Sequence, residues 1–363
     1  MKIAFYLAHP SQYYVFKNIV NSLMSRGHKI YIFIKSKDIL ERLLISEGIS
    51  YINAYPHNKK KGLIGLLCSV FLKNKALFAN LKIKKIDLLV TAASDSSQVS
   101  FLLGLPSIVF NDDDAPVIRK SALFGWPFSS AVLAPKSCKM GYWRKKTVFY
   151  NGYQKLAYLH PKYFQPDQKI VQKYGLSGKP YFLIRTVSLS AHHDKNIRGL
   201  NNDLVEKLIT ILSPHGKVFI SSEKKLPPHL QTYKLNINPL DIHHLIYFSS
   251  LLVGDSQSMA HEAALLGTPS VRYNDFVGRI GVLEELEHTY QLTFGISPDN
   301  PNLLLYKVRE LVLLNDKTIF QERAKKMIEN MIDLPSFAVW FIENYPESKS
   351  MITDQPEFWN QFK

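Results

Sequence analysis

The chain has 363 residues, 46% of them apolar, which is long for one hydrophobic core and ample for two; no run of about twenty apolar residues is present to cross a bilayer. Two cysteines, Cys68 and Cys138, argue against a disulfide frame or a zinc site and point to a reducing compartment, the cytoplasm. The formal charge of +15 calls for an anionic partner. No helix-turn-helix, zinc-finger or RNA-binding signature accompanies it, so the expected partner is a phosphorylated ligand or the inner face of the cytoplasmic membrane, not nucleic acid.

The opening MKIAFYLAHP reads as a strand over 2–8 rather than a signal peptide, since its apolar run is short and no small-residue cleavage site follows. His9-Pro10-Ser11-Gln12 is a loop, Tyr13–Arg26 a helix stopped by Gly27, and Lys29–Ile34 a second strand. This β-loop-α-β start puts His9 at the carboxyl end of the first strand, where open α/β sheets bind ligands. The same residue could instead cap the helix.

Lys59-Lys60-Lys61 precede a segment that mixes an apolar face (Leu63, Ile64, Leu66, Leu67, Phe71) with Lys73, Lys75, Lys82, Lys84 and Lys85. It suits either a peripheral anchor on anionic lipid or a core helix whose lysines face water. A strand over 86–91 leads into Ser94-Asp95-Ser96-Ser97 at a helix start, and a strand over 106–110 ends in Asn111-Asp112-Asp113-Asp114. Three adjacent acids repel one another unless a base, a cation or a hydroxylic substrate is near; the alternative is a solvated turn. The D-x-D spacing lacks the context of a metal site, and no metal is expected. Residues 150–166 are loop-like, and Gly175, Gly178 and Pro180 mark a linker.

The second half restarts with a strand, Tyr181–Arg185. Arg185, His192, His193 and Lys195 then place cationic groups at a strand end, as a diphosphate clamp requires. A zinc pair is set aside, because adjacent strand histidines point apart. A helix over 202–212, a strand over 217–222 and a helix start over 238–244 follow. The apolar run Leu245–Val253 reads as a buried strand, broken by Gly254-Asp255-Ser256. Met259–Leu266 follows at helical spacing, Gly267 and Pro269 stop it, and Ser270–Tyr273 is the next strand. This is a βαβ unit of a parallel sheet. Ser256, Gln257, Ser258 and Met259 lie where the helix begins, a ready seat for phosphate. Glu262, one turn on, comes within reach of a sugar hydroxyl; the plainer alternative is an N-cap with a solvated acid. Asn274–Arg279, amphipathic helices over 301–333 and an aromatic tail from Ser336 close the chain.

GDSQSM (254–259) with EAALLGTPSVR (262–272) resembles the donor-binding segment of GT-B glycosyltransferases, and HPSQYYVFKNIVNSLMSRGHKIYIF (9–33) resembles the opening of the same group. The likeness is nearest to domain-of-unknown-function family 354. It extends to the lipid-linked N-acetylglucosaminyltransferase of peptidoglycan synthesis and the non-hydrolysing UDP-N-acetylglucosamine 2-epimerases. It implies an α/β fold of two Rossmann-like domains facing across a cleft: residues 1–165 for the acceptor, 166–335 for the donor, and a 336–363 tail returning to the first. It further implies that Ser256 and Ser258 hold a diphosphate, that Glu262 holds the ribose, and that 238–244 lies beside the base. His192, Asp275 and Arg279 would meet the phosphate or donor sugar. The implied reaction is metal-independent, inverting transfer, without a cofactor, from a UDP-linked sugar to a glycan or lipid-linked acceptor. His9 or an acid of 112–114 would be the base, with Asp113 orienting the imidazole in one arrangement. The alternatives are epimerisation of the same donor, with Asp95 and one of Asp112–Asp114 as its acids, or non-catalytic glycan binding. Against epimerisation, the first loop reads His9-Pro10-Ser11-Gln12 where those enzymes have Arg-Pro-Glu, and their Pro-Glu-Glu phrase is missing.

Overall fold

Ile3, Ala4, Phe5, Tyr6 and Leu7 are all buried, so the first strand has no solvent face and must be covered by a layer on each side. The computed structural model, which describes residues 1–35, 38–55, 63–176, 178–188, 197–314 and 316–363, provides those layers. The strands of the first sheet are β1 (Lys2–Leu7), β2 (Lys29–Lys35), β3 (Ile52–Tyr55), β4 (Leu88–Thr91), β5 (Ser107–Phe110), β6 (Ala131–Pro135) and β7 (Thr147–Tyr150). They are parallel throughout, in the order β3-β2-β1-β4-β5-β6-β7. The order reverses between β1 and β4, and such a switch point opens a crevice at the carboxyl ends of the two strands.

A second parallel sheet is built from β8 (Tyr181–Thr186), β9 (Lys217–Ser222), β10 (Leu251–Gly254), β11 (Ser270–Tyr273) and β12 (Thr293–Ile296), in the order β12-β11-β10-β8-β9. The chain divides into two compact units, Met1–Tyr158 with Ile332–Lys363, and Leu159–Met331. The first boundary precedes the one expected at 165/166, because the Gly and Pro residues that suggested a linker end the helix Gln168–Lys173 and introduce β8 inside the second unit.

The tail belongs to the first unit, as two helices, Leu334–Glu343 and Glu347–Asp354, and a final turn. Trp340 lies 4.8 Å from the Phe358 ring and 5.3 Å from that of Phe362. Glu343 meets Arg26 at 3.1 Å and His28 at 2.9 Å, beyond the end of the first helix.

Two readings of the sequence change. Leu245–Val253 is not one strand: Ile242–Phe248 is helical, with His243, Leu245 and Ile246 buried, and β10 starts only at Leu251. A short apolar run carries no periodicity by which to separate the two states. Lys73, expected to face water or lipid, is buried in the helix Leu63–Lys84.

The stop at Gly267 is a Schellman turn: the Gly267 N–H donates to Ala264 O at 3.1 Å and the Thr268 N–H to Ala263 O at 2.9 Å. Its φ is +67°, and a Cβ there would lie 2.7 Å from the Gln321 Cα. Gly267→Ala is therefore expected to cost about 2 kcal/mol in chemical denaturation, from the left-handed backbone and the close approach together.

Candidate functional site

In the second unit β10 ends at Gly254, packed so closely on β8 that a Cβ would meet the Arg185 carbonyl oxygen at 2.6 Å. The helix Gln257–Leu265 follows, with Ser256 as its cap: the Met259 N–H donates to Ser256 Oγ at 3.3 Å. A hydroxyl that accepts still has its own proton to donate. The N–H groups of Gln257 and Ser258 fall in the first turn, where no intrahelical acceptor exists. Ser258 is exposed while Ser256 and Met259 are buried. The result is an anion seat at the positive end of a helix.

The Gln257 side chain turns away from that seat. Its amide donates to Asn274 Oδ1, and Asn274 Nδ2 donates to the Asp255 carbonyl at 3.0 Å. Beneath them Arg272 is fully buried, its guanidinium on Glu287, 3.5 Å from Glu284 and 3.5 Å from Gln257 Oε1. One turn along the helix, Glu262 is only 8% exposed, so it is not a solvated acid. Its Oε1 lies 3.7 Å from His243 Nε2. His244 Nδ1 accepts the Asp167 N–H at 3.0 Å, and its ring centroid is 4.8 Å from that of Phe164. Burial lowers the His244 pKa, consistent with a neutral ring accepting at Nδ1.

Asp255 was not singled out by its sequence context, yet it staples both ends of the loop after β8. Its Oδ1 accepts the Val187 N–H at 2.8 Å and its Oδ2 the Leu200 N–H at 3.2 Å. Burial pushes its carboxyl up to about 6. His192, His193 and Lys195, expected in the phosphate clamp, lie outside the described residues. Arg185 is turned along the sheet onto Glu223 and, at 2.9 Å, Ser221, so a carboxylate already neutralises it. Asp275 is paired with Arg198 at 2.7 Å, whose hydrogen bonds hold its pKa below the ordinary value, while exposed Arg279 reaches the Asp275 carbonyl at 3.4 Å. Arg198, with Asp299 at 2.8 Å on its other side, carried no motif to flag it.

In the first unit His9 caps the helix Pro10–Ser25: its Nδ1 accepts the Ser11 N–H at 3.3 Å and is 2.8 Å from Ser11 Oγ. A backbone N–H can only donate, so the proton of a neutral His9 sits on Nε2. That geometry suits a hydrogen-bond donor better than a general base. The three acids at the end of β5 separate by partner. Asp112 is 3.4 Å from Lys155, and Asp114 is buried and accepts the Lys139 N–H. Asp113 is pushed up to about 7, by burial first and by Asp112 next, with Lys155 opposing. One strand over, Asp95 is paired with buried Lys73, whose amine lies 5.8 Å over the Tyr6 ring.

No family model matches the chain, and no curated protein matches it in sequence. Solved structures do. S. aureus MnaA in complex with UDP has a TM-score of 0.68 at 12% identity, covering 96% of this chain and 97% of that one. The UDP-GlcNAc 2-epimerase of Neisseria meningitidis bound to UDP-GlcNAc has a TM-score of 0.62 at 11% identity, covering 96% and 100%. Spinosyn rhamnosyltransferase SpnG, complexed with spinosyn aglycone, has a TM-score of 0.61 at 13% identity, covering 95% and 100%.

The fold is GT-B. The resemblance read from GDSQSM and EAALLGTPSVR thus holds at the level of the GT-B fold; the narrower likeness to family 354 is not carried by any family model. Within this GT-B chain the anion seat, Glu262 and the His243–His244 corner all lie in the second unit, and His9, Asp95 and the 112–114 acids in the first. Among the described residues, no helix is long and apolar enough to cross a membrane.

Proposed function

We propose that this protein transfers a sugar from a UDP-linked donor to a hydroxyl of a glycan or lipid-linked acceptor. The observation that carries the reading is the capped first turn of Gln257–Leu265 with Glu262 buried one turn behind it. The turn receives the diphosphate through the Gln257 and Ser258 N–H groups and the Ser256 hydroxyl. Glu262, oriented by His243, accepts from the ribose hydroxyls, and the Phe164–His244 corner flanks the base. Negative charge grows on the diphosphate as the bond to the anomeric carbon breaks, and donors already aimed there stabilise it at no reorganisation cost. Asp113 takes the acceptor proton as the oxygen attacks, since a base is most effective with a pKa near the working pH. His9 donates a hydrogen bond to the acceptor.

Epimerisation of the same donor is the second reading, favoured by Asp95 and Asp113 standing at the ends of adjacent strands β4 and β5, where elimination and re-addition would need two acids. Titrating UDP, GDP and CMP against the melting temperature tests the donor site. We expect a UDP shift that weakens in Glu262→Gln with a Kd about 10–100-fold higher, the worth of hydrogen bonds to a charged acceptor. No shift with any nucleotide would overturn both readings. Incubation of the bound sugar nucleotide with acceptor then separates them, transfer moving the sugar onto the acceptor and releasing free UDP, epimerisation altering the sugar while it stays on UDP.

A further inference from the structure

In the first unit, two short helices end in large apolar side chains that the core does not use. Phe101 and Leu102 close Ser97–Leu102, and Leu123 and Phe124 close Arg119–Phe124; they are 60, 74, 59 and 63% exposed. The two ends are neighbours. Gln98 Nε2 donates to the Phe124 carbonyl at 2.6 Å, and the Phe101 ring meets that of Phe128 edge-on at 5.5 Å. The buried side chains of these helices are Ser97, Val99 and Ser100 in one and Ala122 in the other, which leaves the bulky residues facing outward. Phe71, 68% exposed, stands two residues before Lys73, whose amine reaches Asp95 ahead of the first of these helices.

The charge around them is mainly basic, the exposed acid Asp95 ahead of the first helix being paired with Lys73. Arg119, Lys120, Arg144 and Lys145 are exposed, and Lys146 Nζ donates to the Pro127 carbonyl at 2.6 Å. Between residues 97 and 149 there are seven Lys or Arg against three acids, and those acids are Asp112–Asp114, with Lys155 and the Lys139 N–H among their partners. Scattered exposed apolar residues need no explanation, but adjoining Phe and Leu side chains rimmed by cations do.

We propose that this surface docks the protein on an anionic lipid bilayer, with Phe101, Leu102, Leu123 and Phe124 entering the headgroup–acyl boundary and the surrounding cations meeting lipid phosphates. A bilayer satisfies both features at once: apolar burial anchors, and negative surface potential attracts the basic rim. A second copy of the chain fits less well, because a self-complementary contact would bring Arg119 and Lys120 against the like-charged rim of its twin. The surface differs from the one the lysine-rich segment suggested, where Lys73 is buried and where Lys59-Lys60-Lys61 and the side chains of Leu63, Ile64, Leu66 and Leu67 lie outside the described residues. It is also independent of nucleotide binding, since none of its residues lies in the second unit.

Co-sedimentation of the full chain with vesicles of phosphatidylcholine and about one third phosphatidylglycerol tests it. We expect wild type to bind these vesicles, and to bind weakly to pure phosphatidylcholine or in about 0.5 M salt. Leu102→Ser with Phe124→Ser, and separately Arg119→Glu with Lys120→Glu, should each lower the bound-to-free ratio about tenfold, with the melting temperature and any UDP shift unchanged. Should the apolar pair disturb folding, Leu102→Gln alone carries the test, as the most exposed of the four. The proposal is overturned if wild type stays in the supernatant, or if the apolar variant binds as wild type does. It is equally overturned if the substitutions abolish a concentration-dependent dimer in ultracentrifugation while vesicle binding is absent.

Discussion

Asp113→Asn is expected to lower kcat/KM for sugar transfer by roughly 10²–10⁴-fold, the worth of a positioned general base, while making the protein more stable above neutral pH. Both effects share one cause. Burial and the neighbouring Asp112 raise the Asp113 carboxyl from 3.8 to about 7, so the folded chain keeps a proton that the unfolded chain has released. Between those values the unfolded state binds fewer protons, and stability falls as pH rises until Asp113 ionises in the fold. Asparagine removes that penalty. The gain in melting temperature should be about 2–5 °C at pH 8, discounted for the coupling to Asp112, and should vanish towards pH 4. Wild-type kcat/KM should climb with pH to a plateau above about 7, and the variant should lose that acid limb. His9→Gln should cost less, because its Nδ1 is already an acceptor for the Ser11 N–H. A reversed order, with His9→Gln the more damaging and Asp113→Asn nearly silent, would assign the base to His9.

The second large effect lies under the anion seat. Arg272→Ala should destabilise the second unit by about 3–5 kcal/mol, because it strips one partner from a buried ion pair and leaves Glu287 facing a cavity. Calorimetry should then show a melting temperature lower by about 10 °C. The Arg272 side chain is fully buried between Glu287, Glu284 and Gln257, while Glu287 also accepts the Gly295 N–H at 2.8 Å. Replacing the pair, as Arg272→Met with Glu287→Leu, should recover most of the loss, since apolar residues of similar size remove the desolvation cost together with the attraction. That rescue should not extend to UDP affinity. Gln257 leads the helix proposed to receive the diphosphate and leans on Arg272, so the rescued protein should fold yet bind UDP more weakly. If stability and affinity return together, Arg272 serves packing alone.

The sequence by itself determined the elements whose signals are local. Buried runs bounded by turn residues placed β1, β8, β9 and β11, and Gly254-Asp255-Ser256 ahead of a periodic run placed the helix Gln257–Leu265 to within two residues, because capping and side-chain periodicity act over one or two turns. The GT-B architecture was legible in that phrase. It could not divide Leu245–Val253 into helix and strand, since an apolar run reads the same in both. Nor could it assign partners. Lys73 looked like a solvent-facing lysine until Asp95 came to meet it, and Arg185 looked available for phosphate until Glu223 did. Asp112, Asp113 and Asp114 were equivalent as text. Only the tertiary structure divided them, giving Lys155 to the first and the Lys139 N–H to the third, and leaving the second half-buried beside a like charge. Ionisation follows from the dielectric and the charges within a few ångströms, and residues distant in the chain supply most of both.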